Sequence, residues 1–498
     1  MIATISSATV LGVTGHPVRV EVHVANGLPA FNVVGQPDSS CREARDRTRA
    51  AIVSSKLTWP QARITVNLAP SALRKVGAHL DLAMALGILA ASDQVPVEAL
   101  DGIGVLGELG LDGSIRRLAG AVPLVDAVVG RRLVIPAASA VEAMVVGNHE
   151  VLPAFDLVGV VACLRGEVEW SRPPSVHPAP PPRSVPDLAD VQGQPVARLA
   201  VEVAAAGGHN LLLIGPPGAG KTMLAQRLPG VLPPLDAVDS LEATRVHSAA
   251  GLTLPADGLI RHPPYRAPHH GASAVAMVGG GSATLRPGEI SLATNGVLFL
   301  DELAEFPSSV LDALRQPLEE GVIRVSRASA SATLPARFLL VGAMNPCPCG
   351  DGRGTDCRCT DAQRARYRRR LSGPLADRFD LRLEMGVPAV DELLTARRSE
   401  TSIAVAARVL AARQRARTRG YRCNADIPAS ELDQFGALDV DATATLERAL
   451  SDGTLSARGM HRLRRVALTL ADLDERDRVA RSDVVSALSM RASMAVMV

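Results

Sequence analysis

Asn210–Thr222 reads NLLLIGPPGAGKT, in which four apolar residues run straight into a Gly-rich loop that closes on Lys-Thr. The apolar run has the length of a buried strand, and the loop after it fits G-x-x-x-x-G-K-[ST] at Gly215, Gly220, Lys221 and Thr222. Pro216, Pro217, Gly218 and Ala219 fill the variable positions. Glycines let backbone N–H groups curl round phosphate oxygens without a Cβ in the way, and the helix that starts at Lys221 points its positive end at the same place. Lys221 is therefore predicted to reach the β- and γ-phosphates of a nucleoside triphosphate, and the Thr222 hydroxyl to ligate Mg²⁺.

Composition sharpens this reading. Of 53 basic residues 50 are Arg, and the lysines are Lys56, Lys75 and Lys221. A planar guanidinium cannot replace a slim, flexible ammonium inside a tight phosphate loop, which is the physical case for the retained Lys221. A length of 498 residues suggests about three domains. The formal charge of +2 gives no global field for nucleic acid or membrane, so polyanion binding has to come from local Arg clusters. Aromatics make up 2% of the chain, too few to advertise base-stacking platforms. The N-terminus has no basic segment ahead of its apolar residues, and no apolar run reaches membrane-spanning length, so a cytoplasmic protein is expected. Four of the seven cysteines crowd between Cys347 and Cys359, unlike a secreted disulfide framework.

From the front, Val18, Val20, Val22 and Val24 alternate with polar residues, which predicts a half-buried strand; Asn26-Gly27 then predicts a turn and a hairpin. Asp38 or Ser39 should cap a helix to about Ser55, with a strand over 63–68 and a buried helix over 81–91. The chain to residue 170 is read as one α+β domain. NLAPSALRKVGAHLDLAMALGIL (67–89) and GELGLDGSIRRLAG (107–120) resemble the proteolytic domain of the Lon family, whose fold is that of the second domain of ribosomal protein S5. Lys75-Val76-Gly77 keeps the family's lead-in. His79 stands where that resemblance places the Ser nucleophile, and Val122 where it places the Lys base, so a peptidase is excluded. Lys75 is left with two readings, a retained role or a surface lysine. Residues 171–186 hold seven prolines and read as a semi-rigid linker.

After the linker, Asp187 to Gly208 reads as a short helix (VARLAVEVAAAGG) ahead of the phosphate loop. Gly296–Glu302, GVLFLDE, is an apolar strand ending on two carboxylates: Asp301 is predicted to hold Mg²⁺ through water and Glu302 to polarise the attacking water. A third strand, 337–344, ends at Asn345, which can hydrogen-bond a γ-phosphate or the lytic water. A fourth, 380–385, follows Arg378, which is placed to act as an arginine finger on a neighbouring subunit's nucleotide or else to make a helix-end salt bridge.

These pieces in this order resemble the AAA+ ATPases. YRAPHHGASAVAMVGGG (265–281), RPGEISLATNGVLFLDE (286–302), LRQPLEEGVIRVSRA (314–328) and AMNPCPCG (343–350) resemble more narrowly the YifB/ComM family of magnesium-chelatase-like AAA+ ATPases. The resemblance implies a multidomain chain: an α+β Lon-protease-like domain (1–170), the linker (171–186), an α/β P-loop AAA+ domain (187–390) and an α-helical C-terminal lid (391–498). It implies sensor 1 for Asn345, sensor 2 for Arg458, an insertion over 262–290 and a hairpin over 322–333 ahead of sensor 1. It implies ATP and Mg²⁺ as cofactors, a homo-oligomeric ring, a hexamer, and work on DNA as a branch-migration motor in recombination during transformation. Two other roles stay open: remodelling of a partner protein, as magnesium chelatase motor subunits do, and a regulatory scaffold with little turnover.

The residues themselves leave some features unassigned. Gly279-Gly280-Gly281 reads as a mobile loop tip, Arg324 and Arg327 as hairpin charges able to meet a phosphate backbone, and His269-His270 as ligands, bases or neither. Cys347-x-Cys349 and Cys357-x-Cys359 suit tetrahedral Zn²⁺, reduced surface thiols or a redox pair. Arg364, Arg366, Arg368, Arg369 and Arg370 form the densest positive patch, for a polyanion or a subunit salt bridge. Beyond 391 the chain reads as helical: Ile403, Ala406, Val409 and Leu410 share an apolar face, Ser456 opens a helix to about Leu473, and Ser482-Asp483 caps a last helix apolar at Val484, Val485, Leu488 and Met490.

Overall fold

The structure, a computed structural model, describes residues 1–175, 186–281, 285–327, 330–350, 357–371, 373–389, 399–453 and 455–491. The central linker prolines and the boundary near 390 fall outside the described residues.

At the front, β1 (Ile2–Leu11) and β2 (Thr14–Ala25) pair antiparallel through the turn at Gly12-Val13. Val18, Val20 and Val22 are at most 1% exposed, as the period-2 alternation requires. The hairpin expected after Asn26-Gly27 does not form. β3 (Ala30–Val34) instead lies parallel to β4 (Arg63–Ala69), and β4 occupies the free edge of β2. The reason is the helix between them: α1 (Ser39–Ser54), capped by Asp38 accepting from the Cys41 N–H at 2.8 Å, carries the chain back so that β4 satisfies both neighbours. With β5 (Ile103–Val105), β6 (Arg132–Pro136) and β7 (Glu150–Ala154) the sheet runs β3-β4-β2-β1-β5-β6-β7. It buries α2 (Asp81–Ala91), every residue of which is buried, and packs α3 (Ala121–Ala127) alongside.

Lys75 is not a surface lysine. It is 0% exposed, its ammonium donates to the Pro70 carbonyl, and burial pushes its pKa down. Around it the Asp38 N–H donates to the Lys75 carbonyl at 3.0 Å, the Lys75 N–H to Gln36 at 3.1 Å, and the Cys41 thiol lies 3.2 Å from the Gly77 carbonyl. Val122 is buried at the seam with the next domain, where its N–H donates to Ser248 Oγ at 3.1 Å.

The second sheet is parallel throughout. In chain order it is served by α4 (Pro195–Gly207), β8 (Leu211–Ile214), α5 (Lys221–Arg227), α6 (Ala237–Ala249), β9 (Tyr265–Arg266) and β10 (Val297–Leu300). The antiparallel hairpin of β11 (Val322–Arg327) and β12 (Ala330–Pro335) forms a separate two-stranded sheet, and β13 (Leu339–Met344), α7 (Asp361–Arg370) and β14 (Leu381–Glu384) follow it. The order β9-β10-β13-β8-β14 brings the ends of β8, β10 and β13 side by side, where a ligand of a parallel sheet binds. Gly279 is no mobile tip. It is buried and pairs with Pro287, and a Cβ there would lie 2.5 Å from the Arg286 carbonyl, so close backbone approach is what requires glycine.

The helical region holds α8 (Ser402–Thr418), α9 (Val440–Ser451), α10 (Ala457–Leu473) and α11 (Arg481–Ser489). The buried stripe of α8 is Val405, Val409, Ala412 and Ala416, whereas Ile403 is 81% and Leu410 40% exposed, against expectation. Small residues win because α8 lies along the alanine-rich α4, Ala200 and Ala204 included, and close helix approach favours them over bulk. Its arginines are joints: Arg408 pairs with Glu202 at 2.6 Å, Arg413 donates to the Ala205 carbonyl at 2.9 Å, and Arg415 and Arg419 enclose the buried Asp472 at 2.9 and 2.6 Å. In α11 the cap is Asp483 folding back onto the Ala480 N–H at 2.8 Å rather than Ser482, and Val485 faces out. Among the described residues no helix is long and apolar enough to cross a membrane.

Candidate active site

β8 delivers the chain to a loop that only glycine permits. A Cβ on Gly215 would lie 2.5 Å from the Met385 carbonyl, while Gly218 and Gly220 turn through φ of +80° and +87° with open space where a Cβ would point. The N–H groups of Gly218 and Gly220 have no acceptor among the described residues. An open, donor-lined cradle of this kind fits the phosphates of a nucleotide. Lys221 opens α5 and sits 8% exposed, its ammonium donating to the carbonyls of Gly215 at 2.6 Å and Pro216 at 2.9 Å and to Asn345 Oδ1 at 3.1 Å. Burial pushes its pKa down and Asp301 opposes that shift.

Across the cradle, Thr222 Oγ1 donates to Asp301 Oδ2 at 2.8 Å, a pair of hard oxygens suited to Mg²⁺. Asp301 Oδ1 takes the Glu302 N–H at 2.9 Å. Glu302 is held in left-handed backbone (φ +50°), and its carboxylate lies 2.9 Å from His270 Nδ1. The His270 ring is in turn packed 4.0 Å from that of His269 and edge-on to Phe306. Behind Asn345 lies the buried Tyr367, whose hydroxyl is pushed up to about 12 by burial. The structure thus brings Lys221, Thr222, Asp301, Glu302 and Asn345 to one end of the sheet.

Arg378 and Arg458 stand elsewhere. The Arg378 carbonyl accepts from Asn210 Nδ2 at 3.0 Å, and Asn210 precedes β8 where the phosphate loop follows it. Arg378 therefore lies at the end of the sheet remote from its own cradle. Its guanidinium meets Glu319, and burial, then Arg462 and Arg458, press its pKa down. Arg458, in the first turn of α10, lies near Arg378, and Arg378, Glu319 and Arg462 line a cavity of about 650 Å³ together with Asp380, Arg413 and Arg465.

The sulfurs of Cys347, Cys349, Cys357 and Cys359 all lie within 4.8 Å of one another, with 3.2 Å between Cys347 and Cys349, 3.8 Å between Cys347 and Cys357, and 3.6 Å between Cys349 and Cys357. On the adjacent α7, Arg364 pairs with Asp361, and Arg370 bonds Glu305 at 2.8 Å and the Ala304 carbonyl at 3.0 Å, whereas Arg366 and Arg369 are exposed. Arg324 of the hairpin is paired with Glu320. No local pattern signals the His270–Glu302 or Glu319–Arg378 contacts, because each pair is separated by more than 20 residues.

Models of three parts of one protein match the chain in order: "Subunit ChlI of Mg-chelatase" over residues 20–139, "Magnesium chelatase, subunit ChlI" over 187–393, and its C-terminal part over 399–491. The protein YifB of Salmonella typhimurium is 43% identical over 99% of this chain and 97% of its own length, and YifB of Escherichia coli 44% over 99% and 97%. Competence protein ComM of Haemophilus influenzae is 42% identical over 99% of this chain and 97% of its own length. Relatives this similar over the whole length place the chain in the YifB/ComM family of magnesium-chelatase-like proteins, and that membership points to an ATPase.

Proposed function

We propose that this protein hydrolyses ATP as a homo-oligomeric ring, with each active site shared by two subunits. The observation that carries the reading is the division of the site: the phosphate cradle with Lys221, Thr222, Asp301, Glu302 and Asn345 at one end of the sheet, and Arg378 with Arg458 at the other. A ring of AAA+ subunits sets such ends against each other, so the second pair acts on the nucleotide held next door. Lys221 binds the β- and γ-phosphates, and Glu302 accepts the proton of the attacking water while Asn345 orients that water. Thr222 and Asp301 would hold Mg²⁺, which would supply neutralisation of the phosphate charge. Glu302→Gln should lower turnover by about 10²–10⁴-fold with ATP affinity retained; normal hydrolysis by that variant removes Glu302 from its role.

The work done is proposed to be movement on DNA, of the branch-migration type, in the cytoplasm. Support comes from similarity to a protein named for competence and from the exposed Arg358, Arg366 and Arg369 next to the site. Single-stranded or branched DNA should stimulate ATP turnover, less so as salt rises. If DNA leaves turnover unchanged, remodelling of a partner protein, favoured by the match to the magnesium chelatase subunit, replaces it. No peptidase activity is expected from a front domain with His79 and Val122 at the two decisive positions.

A further inference from the structure

The four cysteines stand at a junction. Cys347 and Cys349 hang from the end of β13, two and four residues after Asn345, while Cys357 and Cys359 come just before α7. A tetrahedral zinc–thiolate centre with Zn–S arms of about 2.3 Å has S···S edges of about 3.8 Å. The measured 3.2, 3.6 and 3.8 Å are close to those edges, and the buried Cys347 anchors the group.

Three contacts lead from this cluster into the proposed nucleotide site. The Gly350 N–H closes onto the Cys347 carbonyl at 3.1 Å, and Gly350 lies against the phosphate loop so closely that a Cβ would be 2.9 Å from Pro217 Cδ. Tyr367, on the helix the second cysteine pair introduces, is buried close behind Asn345. From the end of that helix Arg370 bonds the Ala304 carbonyl and Glu305, in the turn after Glu302. The phosphate loop, Asn345 and the turn after Glu302 therefore all lean on two chain segments joined by four sulfurs.

We propose that Cys347, Cys349, Cys357 and Cys359 bind one structural zinc ion, and that its occupancy holds Pro217 and Asn345 in place, so that nucleotide binding depends on the metal. This rests on the phosphate loop being the nucleotide site, and the experiment separates the two. Zinc is counted by elemental analysis on purified full-length protein, and binding of a fluorescent ATP analogue is titrated with Mg²⁺ present. Wild type should carry one zinc per chain, and Cys349→Ser with Cys359→Ser close to none. Stripping the zinc with a zinc-selective chelator should weaken analogue binding at least 10-fold, and added Zn²⁺ should restore it in wild type but not in the double variant. Gly350→Ala should keep its zinc yet bind the analogue several-fold more weakly, because its Cβ presses on Pro217 and strains a backbone held at φ +92°. Lys221→Ala should keep its zinc and lose the analogue; if Lys221→Ala binds the analogue normally, the nucleotide site is misplaced, whatever the zinc count. Protein that holds no zinc even when supplied with it, or that binds the analogue equally well with and without zinc, overturns the proposal.

Discussion

Lys75 and Lys221 are two of the few amines kept in a chain that uses arginine almost everywhere, and both end in the same way. Each is close to fully buried, at 0% and 8% exposure, and each gives its ammonium to main-chain carbonyls of its own loop, Pro70 in one case and Gly215 with Pro216 in the other. Burying an ammonium is expensive and a guanidinium is too wide for either bend, so a narrow donor is retained in both. The difference is what lies beyond the amine. Around Lys75 the backbone is closed by Gln36, Asp38 and Cys41. Around Lys221 the N–H groups of Gly218 and Gly220 have no acceptor among the described residues, and Asn345 and Asp301 stand on the same side. A retained lysine marks a tight carbonyl-lined bend; only the neighbours say whether a ligand enters it.

The contrast breaks most sharply at Lys221. Lys221→Ala should abolish measurable nucleotide binding while the melting midpoint without nucleotide moves by only a few degrees; retained binding would make the two lysines equivalent after all. Next in size, Arg378→Ala should cut turnover by about 10³–10⁵-fold with nucleotide affinity unchanged. Mixing it with Lys221→Ala subunits should recover part of the activity, because each variant spares the half-site the other lacks. Lys75→Ala should cost about 3 kcal/mol in chemical denaturation, from the cavity it opens, with the nucleotide Kd within twofold of wild type; a large loss of nucleotide affinity would give Lys75 a role it lacks here. The smallest effect is expected at His270, which positions Glu302: His270→Ala should lower kcat several-fold with KM unchanged, and His270→Asn, whose amide can still donate, should restore most of it.

What could be seen in the sequence was what is local. The strand, glycine loop and Lys-Thr form one contiguous unit, as do the apolar strand into Asp301 and the fully buried α2, apolar after its leading Asp81, so their spacing alone specifies them. Pairings decided by distant chain were misjudged. Nothing near Asn26-Gly27 reveals that Arg63–Ala69 will return to sit beside β2. In α8 the apolar bulk of Ile403 and Leu410 drew attention, but the face that packs is built of small residues matched to α4. The arginines of α8 are bound to Glu202 and Asp472, partners more than 50 residues away that no local pattern signals. At the site, Asn345 was legible from its place after a strand, whereas His270 was not: its meeting with Glu302 depends on a loop 32 residues upstream.

One seam has a practical side. The turn at Gly12 at the front of the chain touches the hairpin of the second domain so tightly that a Cβ there would lie 3.0 Å from Ala332 Cβ and Leu334 Cδ2, with the buried Val13 next to it. Trimming away the first 170 residues would bare an oily strip on the hairpin of the P-loop domain. An inactive fragment made that way would report stickiness, and the front domain is best studied by point changes in the uncut chain.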